Sequence, residues 1–434
     1  MRWLLLFGFL LGSGSLARAQ PSDQGESPSR AVGGGDATTS SRSARLEAAR
    51  RAKATAAPAE DAGPPERGFL ESKLYWFDNQ YVLTRLLKGW NGVHYAAGDF
   101  PAGAGLKFGV GFTDLAVGSI YEDEDMSNRV DVDAAAAYST RGYAQMAGSV
   151  ALRNLGGAPL HLGVRGGYSE FPQEDFFGLG PDTREADRTN YLLDTTEVGA
   201  SLDVAPAAWL RAGVGLSRLA PRVGSGTDSR FPATQERFDP AGVPGFFARS
   251  DFQRTEAWVH LNWLDNALMP RSGGLYSLTF GDYHDLDSDR HDFRQFEARL
   301  QQYVPIGGSA RVLALRAAAV VSDTDAGQQV PFFYQPTLGG KRALRGFREF
   351  RFRDRNSLLL STEYRWEAWW ALDVALFVDA GKVAFHRDDL DFRDLEASYG
   401  VGFRMHSNSA YTFGLDLAFS REGFIPFFGG GYGF

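Results

Sequence analysis

Few residues of this chain are placed to do chemistry, and those that are lie between Gln335 and Val383. Glu363 and Asp379 sit on neighbouring stretches of clean two-residue alternation. In 356–367, Leu358, Leu360, Thr362, Tyr364 and Trp366 share one face, while Leu359, Ser361, Glu363 and Arg365 share the other. In 372–383, Leu372, Val374, Leu376 and Val378 oppose Asp373, Ala375, Phe377 and Asp379. Two carboxylates on the less apolar faces of consecutive strands are first of all a candidate acid/base pair. A basic loop precedes them, centred on Leu344-Arg345-Gly346-Phe347, with Gly339, Gly340 and Gly346 permitting tight backbone turns. An arginine brought between two carboxylates makes a different object, a bidentate charge-paired lock. The alternative is that all three are ordinary charges solvated by water, and the residues alone leave both readings open.

Other chemistries find no residues. There are seven His and none form an HExxH pair, and no GxSxG nucleophile turn occurs. The absence of Cys removes disulfides, thiolate metal sites and thiol nucleophiles. The Gly-rich runs 103–111 and 429–431 lie in or beside strands, without the strand–loop–helix setting of a phosphate cradle. Glu122-Asp123-Glu124-Asp125 reads as a solvated turn, because no calcium-loop spacing follows it. No cofactor, metal or enzymatic activity is expected.

The elements that position these residues are strands, and strands run through the whole of 91–434. Leu106, Phe108, Val110 and Phe112 alternate with glycines and Lys107; Leu210, Ala212, Val214 and Leu216 alternate with Arg211, Gly213, Gly215 and Ser217. The pattern predicts about 16 strands of about 8–15 residues, long enough to cross a bilayer when tilted. Their expected spans are 91–98, 104–113, 129–139, 142–153, 159–169, 190–204, 207–219, 252–264, 273–284, 292–304, 310–321, 356–367, 371–383, 396–406, 409–420 and 424–434. No helical segment interrupts them, which argues against a parallel βαβ fold.

A soluble sandwich would alternate too, so membrane insertion rests on further observations. Charges avoid the apolar face, as lipid demands, since Lys or Arg there costs about 2–4 kcal/mol at midplane. Connections alternate in length. Ala205-Pro206, Pro305–Ser309 and Ser407-Asn408 are short, whereas 170–189, 220–251 and 322–355 are long. The acidic connection Asp114–Asn128 breaks this parity, being long on the side where the others are short. The last strand ends in Tyr432-Gly433-Phe434, an aromatic terminus read as a barrel signal carried by Tyr432 and Phe434. Closure into a barrel gives every backbone group in lipid a partner. The expected fold is therefore all-β: a transmembrane antiparallel β-barrel of about 16 strands. A long extracellular loop between strands 11 and 12 is able to fold inward.

Composition agrees with that class. The 434 residues include 51 Gly, 33 Phe, 16 Tyr and 9 Trp and carry a net charge of −8. Length alone would suggest roughly three domains, a prior that large barrels break. The acidic balance argues against nucleic acid as a partner. Residues 1–19 read as a signal peptide: Arg2, an apolar run over Trp3–Leu11, and the small-residue site Ala17-Arg18-Ala19. Residues 20–67 are a low-complexity leader, expected to be disordered. Residues 68–90, with Leu74, Tyr75, Trp76, Phe77, Tyr81, Leu83, Leu86 and Leu87, form a short amphipathic linker or plug. No run is long and apolar enough for a membrane helix.

The stretch 338–381 resembles the Omp85 superfamily, also called bacterial surface antigen D15 or BamA/TamA-type barrels. The resemblance rests on Leu338-Gly339-Gly340, Leu344-Arg345-Gly346-Phe347, the strand with Glu363, and Phe377-Val378-Asp379-Ala380-Gly381. FFGLGPDT at 176–183, DNALMPRSG at 265–273 and the terminal Phe434 look family-like as well. The likeness implies a sixteen-stranded barrel whose Arg-Gly-Phe loop folds into the lumen, with Arg345 paired to Asp379 and Glu363: structural, not catalytic. It further implies insertion of other barrels into the outer membrane or export of proteins across it, through a weak seam between 91–98 and 424–434. The sequence departs from the family pattern ahead of the barrel, where 20–90 is mostly low-complexity and shows no POTRA domain, the periplasmic βααββ unit.

The expected function is therefore outer-membrane protein insertion or export in a Gram-negative-type cell. Its partners would be outer-membrane lipid, client proteins and a periplasmic protein bound by the leader. The alternatives are a passive pore or structural barrel, and a membrane anchor for a periplasmic partner.

Overall fold

Successive side chains of a strand face opposite ways, and here the two faces are inverted relative to a water-soluble protein. Leu162, Val164, Val198, Val214, Leu278, Phe280, Leu376, Val378 and Tyr399 are exposed, while Arg165, Glu197, Arg254, Glu256, Glu363, Asp379, Arg404 and Asp416 are buried. An apolar outside and a charged inside are what lipid around a closed sheet selects. The computed structural model describes residues 92–429 apart from 97, 99, 102, 115–128, 247–248, 268, 309, 370 and 407–410. The signal peptide 1–19, the leader 20–67, the linker or plug 68–90, residues 115–128 of the acidic connection, and Tyr432 and Phe434 thus lie outside the described residues.

The strands are β1 (Val93–Tyr95), β2 (Lys107–Asp114), β3 (Arg129–Ser139), β4 (Ala144–Arg153), β5 (Leu160–Phe176), β6 (Thr189–Ala207), β7 (Leu210–Ser225), β8 (Phe252–Asn262) and β9 (Gly273–Asp285). They continue with β10 (Phe293–Pro305), β11 (Arg311–Asp323), β12 (Thr337–Leu338), β13 (Phe352–Arg353), β14 (Asn356–Trp369), β15 (Leu372–Ala384), β16 (Glu396–His406), β17 (Tyr411–Ser420) and β18 (Gly423–Gly429). Sixteen of them form one sheet in chain order, β1 to β11 and then β14 to β18, and β12 pairs only with β13. Every pairing is antiparallel, an up-and-down meander. The strands coil into a transmembrane barrel with a charged lumen. The expected strands 12 and 13 are therefore β14 and β15.

Two features depart from expectation. Strands β5, β6 and β7 run beyond the expected spans, to Phe176, back to Thr189 and to Ser225. At this end an aromatic cap packs Phe176 of the β5 extension, with Val223 of the β7 extension at its margin, against Tyr191, Leu193, Leu219 and loop residues Val243, Phe246, Phe332 and Tyr334. Burial of this kind rewards strand extension past the bilayer. A short helix, α1 (Thr234–Arg237), also interrupts the β7–β8 connection, where no helix was expected.

The three long connections 177–188, 226–251 and 324–355 meet at one end. Gly180 N donates to Arg353 O at 2.8 Å, Arg237 pairs with Asp187, and the rings of Phe246 and Phe332 lie 5.5 Å apart. Inside the lumen, Arg165 of β5 bonds Glu197 of β6 at 3.2 Å, Ser217 of β7 at 2.9 Å and Glu256 of β8 at 2.7 Å. Arg254 reaches the same Glu197 at 2.8 Å.

Candidate functional site

The β14–β15 hairpin places the two carboxylates. Ser361 opposes Asp379 and Glu363 opposes Phe377, so Glu363 and Asp379 are diagonal neighbours on the lumen face. Directly opposed like charges would repel, and the diagonal leaves a gap that a cation can enter. The cation comes from the 324–355 loop, which turns inward through Gly339, Gly340 and Gly346, all at positive φ. The β12–β13 pair, Thr337 with Arg353 and Leu338 with Phe352, closes the base of this excursion.

Arg345 enters between the acids. Its Nε donates to Asp379 Oδ2 at 2.7 Å, its Nη2 to Asp379 Oδ1 at 2.8 Å and its Nη1 to Glu363 Oε2 at 3.0 Å. Its backbone N–H donates to Asp379 Oδ2 at 3.2 Å. The guanidinium stacks over Phe377, 3.6 Å from the ring centroid. Arg345 is 1% exposed, and Glu363 and Asp379 are 0% exposed. Burial opposes the arginine's charge, yet Asp379 and then Glu363 more than offset it and hold its pKa above the ordinary value.

The neighbours of Arg345 anchor the loop by different physics. Leu344 and Phe347 bury into a cluster with Ala318, Leu338, Phe352, Leu359 and Val383, and the Phe347 and Phe352 rings meet at 5.2 Å and 65°. Gly346 has φ +87°, and a Cβ there would lie 3.0 Å from Ser398 Cβ and 3.1 Å from the Phe419 backbone. Its carbonyl accepts from Ser420 Oγ at 2.6 Å. The motif thus sits flush against β16 and β17.

The structure brings Arg345, Glu363 and Asp379 together and adds members that the sequence reading did not single out. Arg365 Nε donates to Glu363 Oε1 at 2.9 Å, Arg404 lies 3.7 Å from the same carboxylate, and Arg404 Nη1 lies 2.6 Å from Asp416 Oδ1. Arg345, Arg365 and Arg404 therefore face Glu363, Asp379 and Asp416. Arg365 was open to detection, being two residues beyond Glu363 on the same face. The Arg404–Asp416 pair depends on the β16–β17 register, which puts Gly402 opposite Asp416. At the other end, Arg271 of the DNALMPRSG stretch donates to Asp373 Oδ2 of β15 at 3.0 Å. Among the described residues no group of His, Cys, Asp and Glu could hold a metal ion.

The Omp85 superfamily domain matches residues 131–422, more than half of the chain and all of this site. The chain belongs to the Omp85 superfamily. The solved structure of BamA from Haemophilus ducreyi lacking POTRA domains 1–3 is similar to this Omp85 barrel in fold. It has a TM-score of 0.57 and 14% identity, over 85% of this chain and 80% of that one. CdiB from Escherichia coli matches with a TM-score of 0.48 and 12% identity over 80% of this chain. CdiB from Acinetobacter baumannii matches with 0.46 and 11% over 74%. The Omp85 chain described here spans 62% and 55% of those two CdiB chains, respectively. No curated protein matches it.

Proposed function

We propose that this Omp85 barrel inserts proteins into the outer membrane or exports them across it, without enzymatic chemistry, and that Arg345, Gly346, Phe347, Glu363 and Asp379 form its loop latch. The observation that carries the reading is the buried fork of Arg345 on Asp379 with Glu363 behind it. A buried ion pair is seldom kept for stability alone, because desolvation offsets much of its attraction; its best-attested use is to fix one arrangement among several. Here the arrangement fixed is a long loop inside a lumen through which a client would have to be handled. The aromatic cap over the same mouth also favours a gated barrel over a permanently open pore.

In this reading residues 1–19 direct export, 20–67 and 68–90 lead into the barrel on its periplasmic side, and Tyr432 and Phe434 close the last strand as the barrel's own assembly signal. Its partners are outer-membrane lipid, client proteins and a periplasmic protein met by the leader. The test is the outer-membrane and secreted proteome of cells with the wild-type chain, with none, and with Arg345→Ala. Selective loss of particular proteins in both altered strains is expected. An unchanged proteome, together with steady conductance of the wild-type protein in planar bilayers, would replace the reading with a passive pore. An unchanged proteome without conductance would leave a membrane anchor.

A further inference from the structure

The meander has two ends, and among the described residues no ladder pairs β1 with β18. That seam has an extracellular end, and among the described residues side-chain contacts reach across it there. The β17–β18 hairpin stands on one side, with Glu422 in its turn. The β5–β6 connection stands beyond β1–β4 on the other, with Thr183 in its FFGLGPDT stretch. Any widening of the seam at this end lengthens the distance between those two turns.

One side chain grips both. Arg351 Nε donates to Glu422 Oε1 at 2.8 Å and to Oε2 at 3.0 Å. Its Nη1 donates to Thr183 Oγ1 at 2.7 Å and its Nη2 to Thr183 O at 2.5 Å. The guanidinium lies between Phe352 and Phe177, 4.6 and 5.2 Å from their centroids, and is 1% exposed. The surrounding loop repeats the pattern. Gly346 is held by Ser420 on the hairpin side, while Arg348 pairs with Glu185 at 2.5 Å and Arg353 O accepts from Gly180 N on the other. Arg353 Nη2 also donates to the Tyr191 hydroxyl at 3.1 Å.

We infer that Arg351 is a strap across the seam at the extracellular mouth, distinct from the Arg345 latch on β14 and β15. The hairpin cannot leave the β5–β6 connection until Arg351 releases Glu422 or Thr183. A charged hydrogen bond shared by both Glu422 oxygens, in a water-poor site, gives such a strap both strength and a defined released state. The inference goes beyond the proposed function, because it holds whatever the barrel carries.

Hydrogen exchange of the full chain in lipid nanodiscs tests it, comparing wild type with Arg351→Ala, Glu422→Ala and the double variant. Arg351→Ala is expected to speed exchange in Gly423–Gly429 and in Val93–Tyr95 by about tenfold or more, the scale of a lost charged hydrogen bond, with Asn356–Trp369 unchanged. Glu422→Ala should give the same pattern, and the double variant little beyond Arg351→Ala alone. Unchanged exchange at the seam, or an equal rise in all strands, overturns the inference. Should Arg351→Ala fail to assemble, Glu422→Ala alone carries the same two outcomes.

Discussion

Arg345 and Asp379 meet as two parallel hydrogen bonds, Nε to Oδ2 at 2.7 Å and Nη2 to Oδ1 at 2.8 Å, with both side chains withdrawn from solvent. A fork of this kind has one geometry, so it sets where the loop backbone can be as well as how strongly it is held.

Removing one partner leaves a buried, unpaired charge. Arg345→Ala and Asp379→Asn should each lower stability by about 3–5 kcal/mol, the usual scale for a broken buried pair. Their combination should cost clearly less than the sum, since the sites share one interaction. Denaturant midpoints in a defined detergent would measure this, and additive losses would sink the latch.

Phe347 holds the same loop by packing alone. Phe347→Ala should cost about 3–5 kcal/mol as a cavity opens among Leu338, Leu344, Phe352 and Leu359. Because the Arg345 pairs are not touched, Phe347→Leu should recover most of that loss, read from the same midpoints. A leucine no better than alanine would contradict the packing account.

Gly346 and Gly156 separate conformation from contact. Both have positive φ, but a Cβ at Gly346 meets Ser398 and Phe419, whereas at Gly156 nothing stands within 4 Å. Gly156→Ala should cost only the left-handed penalty of about 1–2 kcal/mol. Gly346→Ala should cost more and displace the loop, seen as faster protease cleavage within 324–355. Equal costs at the two positions would show that the loop yields freely.

The Asp187 and Asp228 ion pairs of the rim loops should resist acid. Hydrogen bonds from Arg184 and Arg237 hold the Asp187 carboxyl below its ordinary value of 3.8, and one from Arg230 does the same for Asp228. A depressed folded pKa contributes stability that is fully present above the unfolded value and is lost as pH falls through the folded one. Amide exchange in 177–188 and 226–246, corrected for intrinsic pH dependence, should stay level from about pH 7 to about pH 5 and rise only below the carboxylate range near pH 3.8. A rise already complete at about pH 5 would refute this.

Period-two alternation was enough to place the strands, and β3 and β16 coincide with their expected spans residue for residue. It was enough to put Glu363 and Asp379 on one face, because strand geometry decides facing locally. Arg404 with Asp416, Arg351 with Thr183 and Glu422, and Phe377 beneath Arg345 escaped notice. Each depends on how the sheet curves or on where the loop lands, and neither is written in a local repeat. The two-residue strands β12 and β13 carry no period at all. The extensions of β5 and β7 reach an aromatic cap assembled from three distant connections.

The fastenings of the extracellular mouth differ in how far the surrounding electrolyte can reach them. Arg348–Glu185 is open to solvent on both sides, at 46% and 39% exposure, whereas Arg351–Glu422 and Arg345–Asp379 are enclosed. Counter-ions at physiological strength screen over about 8 Å of water and act weakly on enclosed pairs. Rising ionic strength therefore loosens the outermost tie first and leaves the inner two engaged. The mouth comes undone in stages, from the environment inward, and its last stages are indifferent to the salinity of the medium.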